Sequence, residues 1–117
     1  MPLLNVFTSA EPLPAEHAGA LLKALSASLA EHFHKPEAYV MTCIVPRTCM
    51  TFGGTTEPAC YAEVKNVGSM TPALTAKLSA LICSQLGEAF GVPSDRIYVE
   101  FSEARGHLWG HDGETFG

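Results

Sequence analysis

The sequence predicts an α/β (α+β) domain in which two β-α-β units form one four-stranded mixed sheet with both helices on the same face. Three observations predict it. The first is an internal repeat: Leu29-x-Glu31-x-Phe33-x-x-Pro36 returns as Leu86-x-Glu88-x-Phe90-x-x-Pro93, 57 positions later. The second is an apolar stripe at helical spacing upstream of each copy. The third is a pair of short, β-branched and aromatic segments flanking each stripe. Strand, helix and parallel strand make a right-handed crossover, and two such units span residues 1–117 as one domain.

The first strand is expected over Leu3 to Phe7, where apolar and β-prone residues dominate. In the first helix Leu21, Leu22, Leu25, Leu29 and Phe33 recur at intervals of three to four, with Pro14 and Glu16 suited to its first turn. It should stop near Phe33, because the residue before Pro36 avoids the α region. A strand over Tyr39 to Val45 completes the first unit. The connecting stretch PRTCMTFGGTTEP, with Gly53-Gly54 and two prolines, reads as a loop and lacks the Lys-Ser/Thr of a phosphate loop. Tyr61 to Val67 is the third strand. Thr71-Pro72 reads as an N-cap followed by proline at the first helical position, opening a helix with Leu74, Leu78, Leu81, Ile82, Leu86 and Phe90 on its apolar face. Arg96 to Phe101 is the last strand. Two helices on one face leave the other bare, so a homo-oligomer is expected to cover it.

Seven Lys and Arg against twelve Asp and Glu give a net charge of −5, and no basic run appears. That excludes the electrostatic footprint of a nucleic-acid binder or an anionic-membrane binder. No stretch approaches a membrane span, and Asn5 breaks the short apolar start that a signal peptide would need to extend, so the cytosol is the default location, with export left undecided. Cys43, Cys49, Cys60 and Cys83 form neither a C-x-x-C nor a zinc-site spacing and are read as free thiols. His32, His34, His107 and His111 lack the further ligands a metal would need and are read as surface histidines; no metal or cofactor is expected.

A few residues invite chemistry. Pro2 follows the initiator methionine, and if Met1 is removed it exposes a secondary amine; α-amino groups titrate at roughly 7.7 to 8.0. Taken alone, a proline in second position is ordinary. Lys35, before Pro36, is equally a cation favoured at a helix C-terminus. Tyr98 and Glu100 lie two apart on a strand and share a face, as a half-buried tyrosine and a solvated acid would. Trp109 and Phe116 sit in a polar, glycine-rich tail and must bury against a pocket wall or a neighbouring subunit.

Met1-Pro2, KPEAYV, MTFGGTTEPACYAEVKNVG, DRIYVEF and the closing LWGHDGETFG occur together and in this order. With them the chain resembles, from end to end, the macrophage migration inhibitory factor family of the tautomerase superfamily. The resemblance implies two β-α-β units assembled as a homotrimer whose sheets line a central barrel. It also implies a keto–enol tautomerase acting on phenylpyruvate-like aromatic α-keto acids or dopachrome-type substrates, without a cofactor. Pro2 would be the catalytic base, and Lys35 would bind the substrate carboxylate and depress the basicity of the proline. Val67 falls where the family's backbone meets substrate, Tyr98 would reach the site from a neighbouring subunit, and Leu3, Tyr39, Trp109 and Phe116 would wall it.

Three departures qualify the match. Glu100 stands where vertebrate members carry an asparagine that bonds the substrate, and an ionised carboxylate there would repel an anion. Ala59 and Ala62 occupy the positions of the vertebrate C-x-x-C. The tail runs Gly110-His111-Asp112-Gly113 where some members are shorter. A cytokine-like signalling or binding protein with a vestigial pocket is therefore the alternative, and hydration, dehalogenation or decarboxylation of a small acid is a third reading.

Overall fold

The computed structural model describes residues 1–117. The chain runs β1 (Leu3–Thr8), α1 (Ala15–Phe33), a 3-10 turn (Glu37–Tyr39), β2 (Met41–Val45), β3 (Cys60–Val67), α2 (Pro72–Phe90), a second 3-10 turn (Ser94–Arg96) and β4 (Ile97–Ala104). A third 3-10 turn (Gly106–Leu108) leads to a small ribbon of β5 (Gly110–His111) and β6 (Glu114–Thr115). The main sheet has the order β2-β1-β3-β4. Its outer pairs are parallel and its central pair, β1 with β3, is antiparallel, as two crossover units related by a two-fold axis require.

The repeat persists in three dimensions. Both helices have 19 residues, and their boundaries and the first two 3-10 turns are offset by the same 57 positions. The two helices are closed differently at the start: Thr71 accepts from the Leu74 N–H at 3.2 Å, whereas Pro14 caps α1 with no side-chain bond. At the other end His34 (φ 53°) and Gly91 (φ 67°) occupy equivalent left-handed positions that reverse the chain.

Strict alternation in β1 and β3 sends Leu4, Val6, Ala62 and Val64 to the helices, where they meet Leu25, Leu29, Leu78, Ile82 and Leu86 in a fully buried core. Each buried leucine, isoleucine or valine among them contributes about 1.5–3 kcal/mol by leaving water. Leu3, Asn5 and Phe7 of β1 and Tyr61, Glu63, Lys65 and Val67 of β3 point to the opposite face, which no helix covers. That face carries a chain of polar contacts: the Cys43 thiol donates to Asn5 (2.7 Å), and Asn5 and the Tyr61 hydroxyl both donate to Glu63 (3.1 Å each). No helix is long and apolar enough to cross a membrane.

Two expected strand limits move. Tyr39 lies in a 3-10 turn and β2 begins at Met41; Arg96 likewise ends a turn and β4 begins at Ile97. The cause is shared, since Pro36 and Pro93 start a tight turn at φ −60° and −59° before the chain can extend. The closing glycine-rich segment, to which no element was assigned, forms the β5–β6 hairpin. The Gly53-Gly54 stretch is a small hairpin too, with Phe52 and Thr55 bridged across glycines at φ 61° and 78°. The four cysteines are free thiols, and burial pushes those of Cys60 and Cys83 up.

Candidate functional site

The left-handed turn at His34 takes Lys35 off the end of α1 and aims it across the sheet toward the end of β3. Its backbone N–H returns to the Ala30 carbonyl at 3.1 Å, which fixes the turn. Its ammonium then donates to Asn66 Oδ1 at 2.8 Å and to the Val67 carbonyl at 2.6 Å. An ammonium has three N–H donors. Two are used here, and the third is left for the chain's own amine beside it.

The chain's beginning meets the same place. The Met1 amine lies beside Lys35, and its pKa falls from 8.0 to about 5, through burial first and then a hydrogen bond and charge repulsion from Lys35. Pro2 is buried on the helix side of the sheet, its carbonyl accepting from the Met41 N–H at 3.2 Å. Leu3 turns to the open face, in register with Met41 on one side and Lys65 on the other.

Aromatic residues gather next to this corner. Phe116 and Val67 line a common hollow with Gly68 and Arg105. Phe116 meets Tyr39 edge-on, with centroids 6.2 Å apart and planes at 82°. The Phe116 N–H donates to the Trp109 carbonyl at 3.2 Å, which extends the hairpin register to a Trp109/Phe116 pair. Lys35, Val67, Tyr39, Trp109 and Phe116 thus belong to one end of the molecule, together with the chain start.

Tyr98 and Glu100 do not. Tyr98 pairs in register with Tyr61, six residues before Val67 on β3, and a strand rises roughly 3.3 Å per residue, so it lies about 20 Å from that corner. Its exposed ring packs on Phe52 with centroids 4.8 Å apart. Glu100 is exposed midway along the edge strand β4, in register with Glu63, and both carboxylates help burial hold the Tyr61 hydroxyl protonated. In a single copy of the chain these two residues are separate from Lys35.

Comparison with known proteins bears directly on this arrangement. The whole chain, residues 1–117, matches the family model described as macrophage migration inhibitory factor (MIF). A curated MIF homologue from Trichuris trichiura is 32% identical over 114 residues, covering 97% of this chain and 100% of that protein. The chain belongs to the MIF family.

Solved members show the same fold. The MIF homologue from Prochlorococcus marinus superposes with a TM-score of 0.91 at 44% identity, over 98% of this chain and 99% of that one. MIF from Toxoplasma gondii gives 0.89 at 28%, over 97% and 99%. The family is a tautomerase family.

Within this MIF-family chain, two contributors to the corner, Asn66 and His111, and one residue beside Tyr98, Arg96, have roles that escaped sequence reading. Asn66 is 2% exposed on the helix-facing side of β3, after Cys60, Ala62 and Val64. A polar residue at the fourth of four core-facing positions was the available signal, since buried amides need partners. His111 is exposed, as a surface histidine should be, but its ring is engaged: it stacks on Phe116 (5.9 Å, 17°) and meets Tyr39 edge-on (5.4 Å, 70°). The Asp112-Gly113 pair, at φ 52° and 78°, is the hairpin signal that would have placed it. Arg96 binds the carbonyls of Phe52, Glu57 and Pro58 at 2.8–3.1 Å and so holds the loop against which Tyr98 rests. No sequence pattern marks such a clasp.

Proposed function

We propose that this chain is a keto–enol tautomerase of phenylpyruvate-like aromatic α-keto acids, with Pro2 as its base once Met1 is removed. One observation carries the reading. The chain's beginning, the Lys35 ammonium and an aromatic wall meet at one corner of the sheet.

The substrate carboxylate would meet the Lys35 ammonium, and the aryl ring would lie against Tyr39 and Phe116. The Pro2 nitrogen would accept a proton from the carbon next to the keto group, leaving an enolate, and return it to the oxygen to give the enol. Nothing is oxidised, and no co-reactant is consumed. Burial and the cation beside it would keep this amine neutral and able to accept a proton near pH 7, as they depress the Met1 amine in the same surroundings. Tyr98 and Glu100 would reach the site from a neighbouring copy in a homotrimer, which is consistent with their distance from Lys35 within one chain.

The test has two parts. Intact mass should show that Met1 is lost, and the processed protein should enolise phenylpyruvate. Pro2→Gly should be slower by about 10²-fold or more, the usual worth of a positioned base. Equal rates for the two proteins would remove Pro2 from catalysis. The second reading, a binding protein with a vestigial pocket, is favoured by Glu100, whose carboxylate stands exposed beside Glu63. It predicts ligand binding with no turnover, and no gain in rate for Glu100→Asn.

A further inference from the structure

We infer that the hollow between the end of α1 and the start of α2 is a second binding site, and that it takes a phosphate dianion, free or as the monoester of a small polar molecule. Its volume is about 650 Å³, within the range of small-molecule sites. Lys35 lines it from the turn after α1, Thr71, Ala73 and Lys77 from the first two turns of α2, and Asn66 from the end of β3. None of Pro2, Tyr39, Trp109 and Phe116 borders it, so the inference does not rest on the tautomerase reading.

Several donors along this lining are uncommitted. At the start of α2, Pro72 has no N–H, the Leu74 N–H donates to the Thr71 hydroxyl oxygen at 3.2 Å, and the Thr75 N–H donates to the Thr71 carbonyl at 3.1 Å. The Ala73 N–H is left over, and the Thr71 hydroxyl keeps its own hydrogen to donate. A helix start alone is satisfied by water. Asn66 is the second, independent sign. It is 2% exposed, and its Oδ1 accepts from Lys35 at 2.8 Å. Its Nδ2, however, carries two N–H groups and reaches only the Gly68 carbonyl, at 3.5 Å. That is beyond the about 2.7–3.2 Å of an ordinary N–H···O bond, so a buried amide at the hollow's edge has donors to give.

Charge selects an anion. The Lys35 and Lys77 ammoniums stand against the single carboxylate of Glu31, on a chain whose net charge is −5. Lys35 acts here through its field, since its N–H groups are committed to Asn66, Val67 and the chain's own amine. His32 adds no donor while neutral, because its Nδ1 donates to the Ser28 carbonyl at 2.7 Å and leaves Nε2 an acceptor. The direct donors are then a backbone N–H, a hydroxyl, an amide and the Lys77 ammonium, which approach from two elements. A tetrahedral phosphate presents oxygens in as many directions, whereas a planar carboxylate presents two. The hollow exceeds the size of one phosphate and leaves room for the rest of an ester.

NMR titration of the isotope-labelled protein with inorganic phosphate and with glycerol phosphate, at constant ionic strength, tests the assignment. Binding should saturate with Kd on the order of 0.1–1 mM and move the Ala73 amide and Asn66 side-chain signals, while the Trp109 indole signal stays in place. Tighter binding of the ester names it as the occupant, and equal binding names free phosphate; both support the site. Acetate should move none of these signals. Lys77→Glu, at an exposed position, should weaken binding by about tenfold or more. Asn66→Asp, which keeps an oxygen for Lys35 and loses the N–H groups, should abolish it; if that variant does not fold, Lys77→Glu decides. No saturation by about 10 mM of either probe, shifts centred on Trp109, acetate acting as phosphate does, or native affinity in Lys77→Glu would overturn the proposal. A protein that binds phosphate here without enolising phenylpyruvate would support it and overturn the tautomerase reading alone.

Discussion

At the scale of single residues, Lys35 links the chemistry to the fold. Its two hydrogen bonds satisfy the buried Asn66 amide oxygen and the last carbonyl of β3. Removing the ammonium leaves that amide short of a donor, so Lys35→Ala should lose about 1–3 kcal/mol in a urea melt as well as its affinity for carboxylate ligands. A pH effect follows from the same side chain. In the Met1-bearing form, the terminal amine has a folded pKa of about 5 against an ordinary 8.0. Between these values the unfolded chain binds more protons than the folded one, so stability should rise with pH from about 5 to about 8 and level off above. Lys35→Gln should flatten that rise without abolishing it, because burial contributes more to the shift than Lys35 does. Urea midpoints of both proteins across this range give the comparison, and parallel curves would contradict the coupling.

At the scale of elements, the two units invite a controlled comparison. His34 and Gly91 hold equivalent left-handed positions, yet only one is a glycine. A side chain there costs roughly 1–2 kcal/mol, while glycine loses more freedom on folding, so His34→Gly should be stabilising by a few tenths to about 1 kcal/mol. Thermal melts would show it, and a lower midpoint would mean that the imidazole makes a contact of its own. Both helices were legible because the leucine stripes, Thr71-Pro72 and the two F-x-x-P signals agree with one another. Tyr39 and Arg96 were misplaced as strand because their β-like character is overridden by the turns that Pro36 and Pro93 impose. The tail hairpin went unread because its signal is a single Asp112-Gly113 turn between strands of two residues each. Of the candidate site, the residues that carry charge or aromatic rings could be named from motifs. Asn66 and Arg96 could not, since their partners are a distant lysine and three backbone carbonyls.

At the scale of the whole molecule, the bare sheet face sets the expectation. Met41 and Val45 at its edge are 65% and 43% exposed, and Tyr98 is 66% exposed. A chain with so much apolar area uncovered on one side is suited to self-association. Sedimentation should give three times the chain mass. If the site is shared between copies, Lys35→Gln and Tyr98→Ala proteins, each impaired alone, should recover phenylpyruvate enolisation when unfolded together and refolded as a mixture. Each mixed assembly would then contain corners with an intact lysine facing an intact tyrosine. No recovery would mean that the lysine and the tyrosine do not serve one site across copies.

The matching halves also differ at one telling corner. Advancing 57 positions from Lys35 leads to Val92, 3% exposed and packed into the core. One architectural joint therefore exists twice, sealed with hydrocarbon in the second half and kept polar in the first. The first joint holds an ammonium on an amide and a carbonyl where the second holds a packed isopropyl group, so the two-fold likeness of the halves breaks at the place where the chain's own amine arrives.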